Sequence, residues 1–165
     1  IMEKNHTRMD VEEAIRIVHD AGIALRPTWV AFTPWTALDD YLDVLEFVYI
    51  HKLIDHVDPV QYVIRLLVPP GSYLLDHPAM KPYLGALNQA SFSYLWTHHD
   101  PRMDELHKAV NTLVERNTQE NVDSGETFYS LWELAASMKG EARPPRHPLS
   151  ANRVQAPRLT EPWFC

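Results

Sequence analysis

The sequence predicts an α/β fold, and three observations predict it. Two apolar runs, Ile23 to Phe32 and Val60 to Val68, alternate in the manner of strands. The stretch between them carries the three-four spacing of a helix. Each run ends in turn chemistry, Thr33-Pro34-Trp35-Thr36 and Pro69-Pro70-Gly71-Ser72. Two strands bracketing one crossover helix make a parallel βαβ unit, and such units belong to folds whose chemistry lies beyond the carboxyl ends of the strands.

In chain order, Asp10 is expected to cap a first helix over 10–21, with Val11, Ala14, Ile15, Val18 and Ala21 on its apolar face and Gly22 as its left-handed stop. Ile23, Leu25, Trp29 and Ala31 then alternate with Arg26 and Thr28, and Pro27 requires a bulge because it removes a ladder donor. Thr36 and Asp39 form a weak capping box for a second helix running to about Leu53, with Leu38, Tyr41, Leu42, Leu45, Val48 and Tyr49 as its stripe. In the second strand Val60, Tyr62, Ile64, Leu66 and Val68 share one face, and Gln61, Val63, Arg65 and Leu67 the other. Ser72 to Leu87 reads as short helical turns, with Ser72 holding a helix end, and Ser91 to Trp96 as strand or loop. Asp100 before Pro101 starts a third helix with Met103, Leu106, Val110, Leu113 and Val114 inward. Asp123 with Glu126 starts a fourth, carrying Phe128, Leu131, Trp132, Ala135 and Met138 and stopped by Gly140. The five prolines beyond Glu141 predict an extended tail without a core of its own.

With 165 residues, 45% of them hydrophobic, the chain has the composition of one globular domain. Fifteen basic against 22 acidic residues give a net charge of -7, and no Lys/Arg cluster offers a nucleic-acid footprint. No apolar run approaches a bilayer span and the first residues lack the pattern of a signal peptide, so a cytoplasmic protein is expected. The single cysteine, Cys165, precludes an internal disulfide.

Arg65, on the mixed face near the carboxyl end of its strand, needs an anion or a polar partner: a ligand carboxylate or a structural glutamate would serve. Arg26 and Gln61, at the opposite end, are read as structural. Among the nine histidines the best metal constellation is His98, His99, Asp100, Asp104 and His107, but Asp100 is better explained as a cap and Asp104 as a partner of Lys108, so no metal site is assigned. His51 and His56 make a poorer pair still. No glycine-rich phosphate loop follows a strand, and Gly71-Ser72 lacks the form of a nucleophile elbow.

At Thr33-Pro34-Trp35-Thr36, at Asp58-Pro59-Val60-Gln61-Tyr62 with Ile64 to Ser72, and at Asp100-Pro101-Arg102-Met103-Asp104, the chain resembles radical S-adenosylmethionine proteins. The tail Pro157-Arg158-Leu159-Thr160-Glu161-Pro162-Trp163-Phe164-Cys165 narrows the resemblance to the CUAEP/CCAEP-tail group, relatives of cobalamin-binding radical enzymes. The resemblance spans nearly the whole chain, though none of these motifs is a catalytic signature.

The resemblance implies a partial (β/α) barrel whose last strands lie in 1–72, a mainly helical extension over 73–140 and a Pro-rich tail over 141–165. Ile1 to Asn5 would then be a strand end. The family's 4Fe-4S cluster, held by cysteines spaced CxxxCxxC, cleaves S-adenosylmethionine to a 5'-deoxyadenosyl radical. This chain has none of those cysteines, so the resemblance implies a missing N-terminal part as its first partner, a small-molecule or peptide substrate, and no activity from the chain alone. It also implies that selenocysteine or cysteine follows Cys165, which would make the tail a redox device. Strand phase places Glu3, Lys4, His6, Thr33, Trp35 and Arg65 near strand carboxyl ends, as candidates for the cofactor or substrate pocket. A noncatalytic α/β interaction module and, more weakly, a metal-dependent barrel hydrolase are the rival expectations. Unpaired strand edges in a half barrel predict self-association, or covering of the edges by the C-terminal helices.

Overall fold

The computed structural model describes residues 5–149. Its elements are α1 (Arg8–Asp20), α2 (Leu38–Ile50), three short 3-10 turns (Ile54–His56, Pro59–Tyr62 and Tyr73–Leu75), β1 (Leu84–Asn88), β2 (Ser93–Trp96), α3 (Pro101–Gln119) and α4 (Ser124–Lys139). The chain is thus a mixed α/β structure, with helices dominating and a small two-stranded antiparallel sheet.

The helix ends follow local chemistry. Thr7 caps α1, and Asp10 closes a capping box from the third helical position by accepting from the Thr7 amide at 2.6 Å. The expected cap is therefore displaced by three residues, because a hydroxyl at the N-cap and a carboxylate three later satisfy two orphan amides at once. Gly22, at φ 68, ends α1 in a Schellman arrangement, its amide bonding to His19 and that of Ile23 to Val18. For α2, Ala37 stands at the cap and Asp40 takes its amide at 2.8 Å. Thr36 is diverted into the preceding turn, 2.7 Å from the Thr33 hydroxyl. Asp100, Asp123 and the left-handed Gly140 cap α3 and α4 where the sequence places them.

The strand expectations hold less well. The segment 23–31 is extended but unladdered, and Phe32 alone forms a parallel bridge with Arg65, through Phe32 N to Ile64 O at 3.0 Å and Leu66 N to Phe32 O at 2.8 Å. Pro59 opens a 3-10 turn instead of a strand, and the turn runs through Val63, so the alternation from Val60 reaches a bridge only at Arg65. β1 falls where helical turns were expected. It pairs with β2 through Leu84 with Trp96 and Asn88 with Ser93, and a one-residue bulge lies between Leu84 and Leu87. β2 also lies against the second extended run, since Tyr94 N donates to Val68 O at 2.8 Å and the Ser93 hydroxyl accepts from Val68 N.

The core is shared by α2, α3, α4 and the inward residues of this extended layer. Leu45, Val48, Val68, Met80, Leu106, Val110, Leu131 and Ala135 are sealed from solvent. Tyr41 and Tyr62 are buried together, with the Tyr41 hydroxyl donating to the Tyr62 carbonyl at 3.1 Å. Burial pushes both phenols well above their ordinary range. No residue of α1 is buried. The described part of the tail, 141–149, is held to α4 by Arg146 paired with Glu126 and by Arg143 with Glu133 at 3.2 Å, and to α2 by His147 stacked on Tyr49 at 5.2 Å.

Candidate functional site

The Phe32 and Arg65 bridge fixes where the two extended runs end, and the predicted site residues are placed relative to it. Thr33 follows directly. Its amide donates to the Thr36 hydroxyl at 3.2 Å and its own hydroxyl meets both that group and the Trp35 amide, so its polar atoms serve the turn. Trp35 is half-buried, with its indole N–H donating to the Ala79 carbonyl at 3.3 Å and its ring edge-on to Tyr83 at 6.4 Å.

Beyond Tyr83 the aromatic surface continues through histidines. Tyr83 lies 6.0 Å from the His99 ring and 6.4 Å from that of His98, and the two imidazoles stack at 4.5 Å. His98 is buried, and its Nδ1 accepts from the Asp100 amide at 3.0 Å. The same Nδ1 lies 3.1 Å from the Asp100 carbonyl, and Nε2 is buried with no hydrogen-bond partner among the described residues. His99 is exposed above it. Trp35, Tyr83 and His99 form an aromatic cluster whose rings are tilted against one another, Trp35 to Tyr83 at 79° and Tyr83 to His99 at 53°.

Arg65 is occupied. Its guanidinium donates to Asp104 Oδ1 at 2.8 Å and to the Trp96 carbonyl at 2.7 Å, and lies 3.7 Å from the centre of the Trp96 ring. Its structural partner is an aspartate where a glutamate was expected. Asp104 also accepts from the His98 amide at 3.0 Å, so it turns toward the sheet layer and away from Lys108 as the expected partner. His107 completes this side, with Nε2 donating to the Val63 carbonyl at 3.2 Å and its ring edge-on to Phe32 at 4.9 Å. Burial first, then the neighbouring Arg65 charge, lower its pKa.

The remaining predictions separate. Arg26 pairs with Asp58, and Gln61 accepts from the Trp29 amide at 3.3 Å, both in structural roles. His6 lies at the mouth of a groove beside α1 and not with Thr33 and Trp35. That groove encloses about 660 Å³ between α1, α2 and the extended segment, and its walls include Val11, Ile15, Val18, Leu25, Trp29 and Phe47. Glu3, Lys4 and Cys165 fall outside the described residues. Among the described residues no group of three or more His, Cys, Asp or Glu side chains is placed to hold a metal ion, and no helix is long and apolar enough to cross a membrane.

Sequence reasoning weighed His98 and His99 as metal ligands, assigned no site to them, and missed Tyr83 and Ala79. The contacts joining those residues to Trp35 span more than forty positions, and no local pattern encodes them. Comparison with protein-family models, with curated proteins and with solved structures gives no match.

Proposed function

We propose that this chain is the barrel-closing and C-terminal portion of a radical S-adenosylmethionine enzyme, in which 1–72 supply the last βα units of a partial (β/α) barrel and 73–140 a helical extension. The observation that carries the proposal is a one-sided layer. Two extended runs touch in parallel across the crossover helix α2, and the residues turned to the helices are buried while Leu67 and Leu95 are 71% and 53% exposed. Isolated apolar side chains are ordinary on a surface. On this reading the exposed apolar side chains of the two runs, Val30 and Leu67, would face the barrel interior.

On this reading the parent enzyme uses a 4Fe-4S cluster and S-adenosylmethionine, and its relatives add cobalamin. The residues of this chain do not fit the cluster, because one cysteine cannot supply its thiolate ligands. What the chain contributes is wall. Trp35, with Tyr83 edge-on to it and His99 beyond, covers the carboxyl end of the first run, and the Arg65 and Asp104 pair ties the second run to α3.

The test is the reading frame upstream of Ile1, which should encode a CxxxCxxC motif on a preceding βα segment. An upstream frame without that motif refutes the proposal. The competing reading, a noncatalytic interaction module, is favoured by the apolar groove beside α1. It predicts that the complete protein takes up no cluster on anaerobic reconstitution.

A further inference from the structure

The cleft of about 660 Å³ beside α1 follows from the way that helix is attached. At its end the Gly22 turn ties it to the first extended run, with the Ile23 amide on the Val18 carbonyl at 3.1 Å. Near its start Arg8 lies over the Phe47 ring at 5.3 Å, and Glu12 stands 3.6 Å from His51 Nε2 at the end of α2. Between these two attachments Ala14 offers only a methyl group, and no residue of α1 is buried. The apolar stripe Val11, Ala14, Ile15 and Val18 therefore lines a cleft, with Trp29 and Phe47 among the other walls, and is not sealed into the core.

This cleft is separate from the cluster around Trp35. Its walls on the first run, Leu25, Pro27 and Trp29, precede the bridge at Phe32, whereas Thr33 and Trp35 follow it. One turn of backbone supports the floor, since His56 Nδ1 lies 2.9 Å from the Leu25 carbonyl and Leu53, another wall, is buried just before that turn.

Volume, wall chemistry and rim charge select the occupant. A helix about 10 Å across would fill the cleft with about 8 Å of its length, under two turns and too short to be stable by itself. An extended peptide would bring an amide for every residue against walls that are mainly apolar side chain, and a buried amide left unpaired is costly. An ion of either sign gains little at the rim, where His6 and Arg8 stand with Asp10 and Asp43, all four exposed. The volume falls within the roughly 300–1,000 Å³ of small-molecule sites. We propose that the cleft between α1, α2 and the first extended run binds a neutral, hydrocarbon-rich small molecule, held against Val11, Ile15, Val18, Trp29 and Phe47. The inference rests on the cleft alone and is independent of the barrel reading.

The test titrates the full 165-residue chain with N-phenyl-1-naphthylamine, a neutral dye that brightens in apolar surroundings. Saturable binding of one dye per chain is expected. Ala14→Trp and Val44→Trp fill the cleft from α1 and from α2, and at least one of these chains, with its helical circular dichroism unchanged, should bind the dye about tenfold more weakly. Leu67→Lys with Leu95→Lys removes exposed apolar side chains outside the cleft and should leave the affinity as it was. In competition with the parent chain, 1-decanol should displace the dye at a lower concentration than either decanoate or decylammonium. Binding that does not saturate, affinity unmoved by both tryptophans or lost with the two lysines, or a charged decyl compound displacing the dye as well as decanol does would each overturn the proposal. So would affinity that falls as the chain concentration rises, because the occupant would then be a second copy.

Discussion

Replacing Arg65 by alanine isolates the contact that joins the second extended run to α3. The guanidinium makes a charge-assisted bond to Asp104 and a second to the Trp96 carbonyl, and covers the Trp96 ring. A hydrogen bond involving a charged group contributes about 1.5–3 kcal/mol, and a cation over an aromatic face about 0.5–1 kcal/mol at an exposed site. The Arg65 and Asp104 side chains are 24% and 23% exposed, so solvent screens part of the charge interaction. The net loss expected for Arg65→Ala is therefore about 2–3 kcal/mol, measured as a shift of the urea midpoint at constant slope. Asp104→Ala alone and the double variant complete a cycle, with a coupling of about 1–2 kcal/mol expected for partners in direct contact. A coupling below about 0.5 kcal/mol, or an Arg65→Ala chain as stable as the parent, would show that the pair is not structural. Arg65 would then be available to an external carboxylate.

Three further outcomes follow from the same contacts. Asp123→Ala removes the acceptor of the Gly125 and Glu126 amides at the start of α4 and should cost about 1 kcal/mol in chemical denaturation. His107 has a lowered folded pKa, so its neutral form is the one favoured by folding. Its contribution is fully present above the unfolded value of about 6.5 and is lost as pH falls from there through the folded pKa. His107→Gln should accordingly flatten the stability profile below about pH 6.5 relative to the parent, and parallel profiles would contradict the assignment. Leu67→Lys and Leu95→Lys change exposed positions and should leave stability within about 0.5 kcal/mol. If that face lines a barrel, the same lysines should suppress self-association in sedimentation and abolish assembly with an upstream segment, whereas unchanged assembly would count against the barrel.

The helices were legible because their ends carry explicit chemistry. Asp100 with Pro101, and Asp123 with Gly140, mark α3 and α4 by residues whose physical roles are local. The start of α1 was misplaced because an aspartate serves equally as a cap and as the third residue of a capping box, and only the hydroxyl of Thr7 decides between them. Alternation from Val60 to Val68 looked like one strand, yet Pro59 starts a 3-10 turn and burial of Tyr62 beneath Tyr41 fits that turn as well as a ladder. β1 was hidden because Gly85 and Ala86 have poor strand propensity and sit in the bulge, and its pairing comes from the hairpin with β2. At the candidate site, the need of Arg65 for an anion was readable from its phase. The identity of that anion was not, because Asp104 lies 39 positions away. The cluster of Trp35, Tyr83 and His99 escaped for the same reason.

The central claim is that this chain closes a barrel whose iron-ligating thiols lie upstream, and formation of 5'-deoxyadenosine tests it most directly. The product of the reading frame extended upstream of Ile1, reconstituted anaerobically with iron and sulfide and given S-adenosylmethionine and a reductant, is predicted to release 5'-deoxyadenosine. Residues 1–165 alone are predicted to release none. An extended protein that folds, takes up no iron-sulfur cluster and leaves S-adenosylmethionine intact would contradict the account.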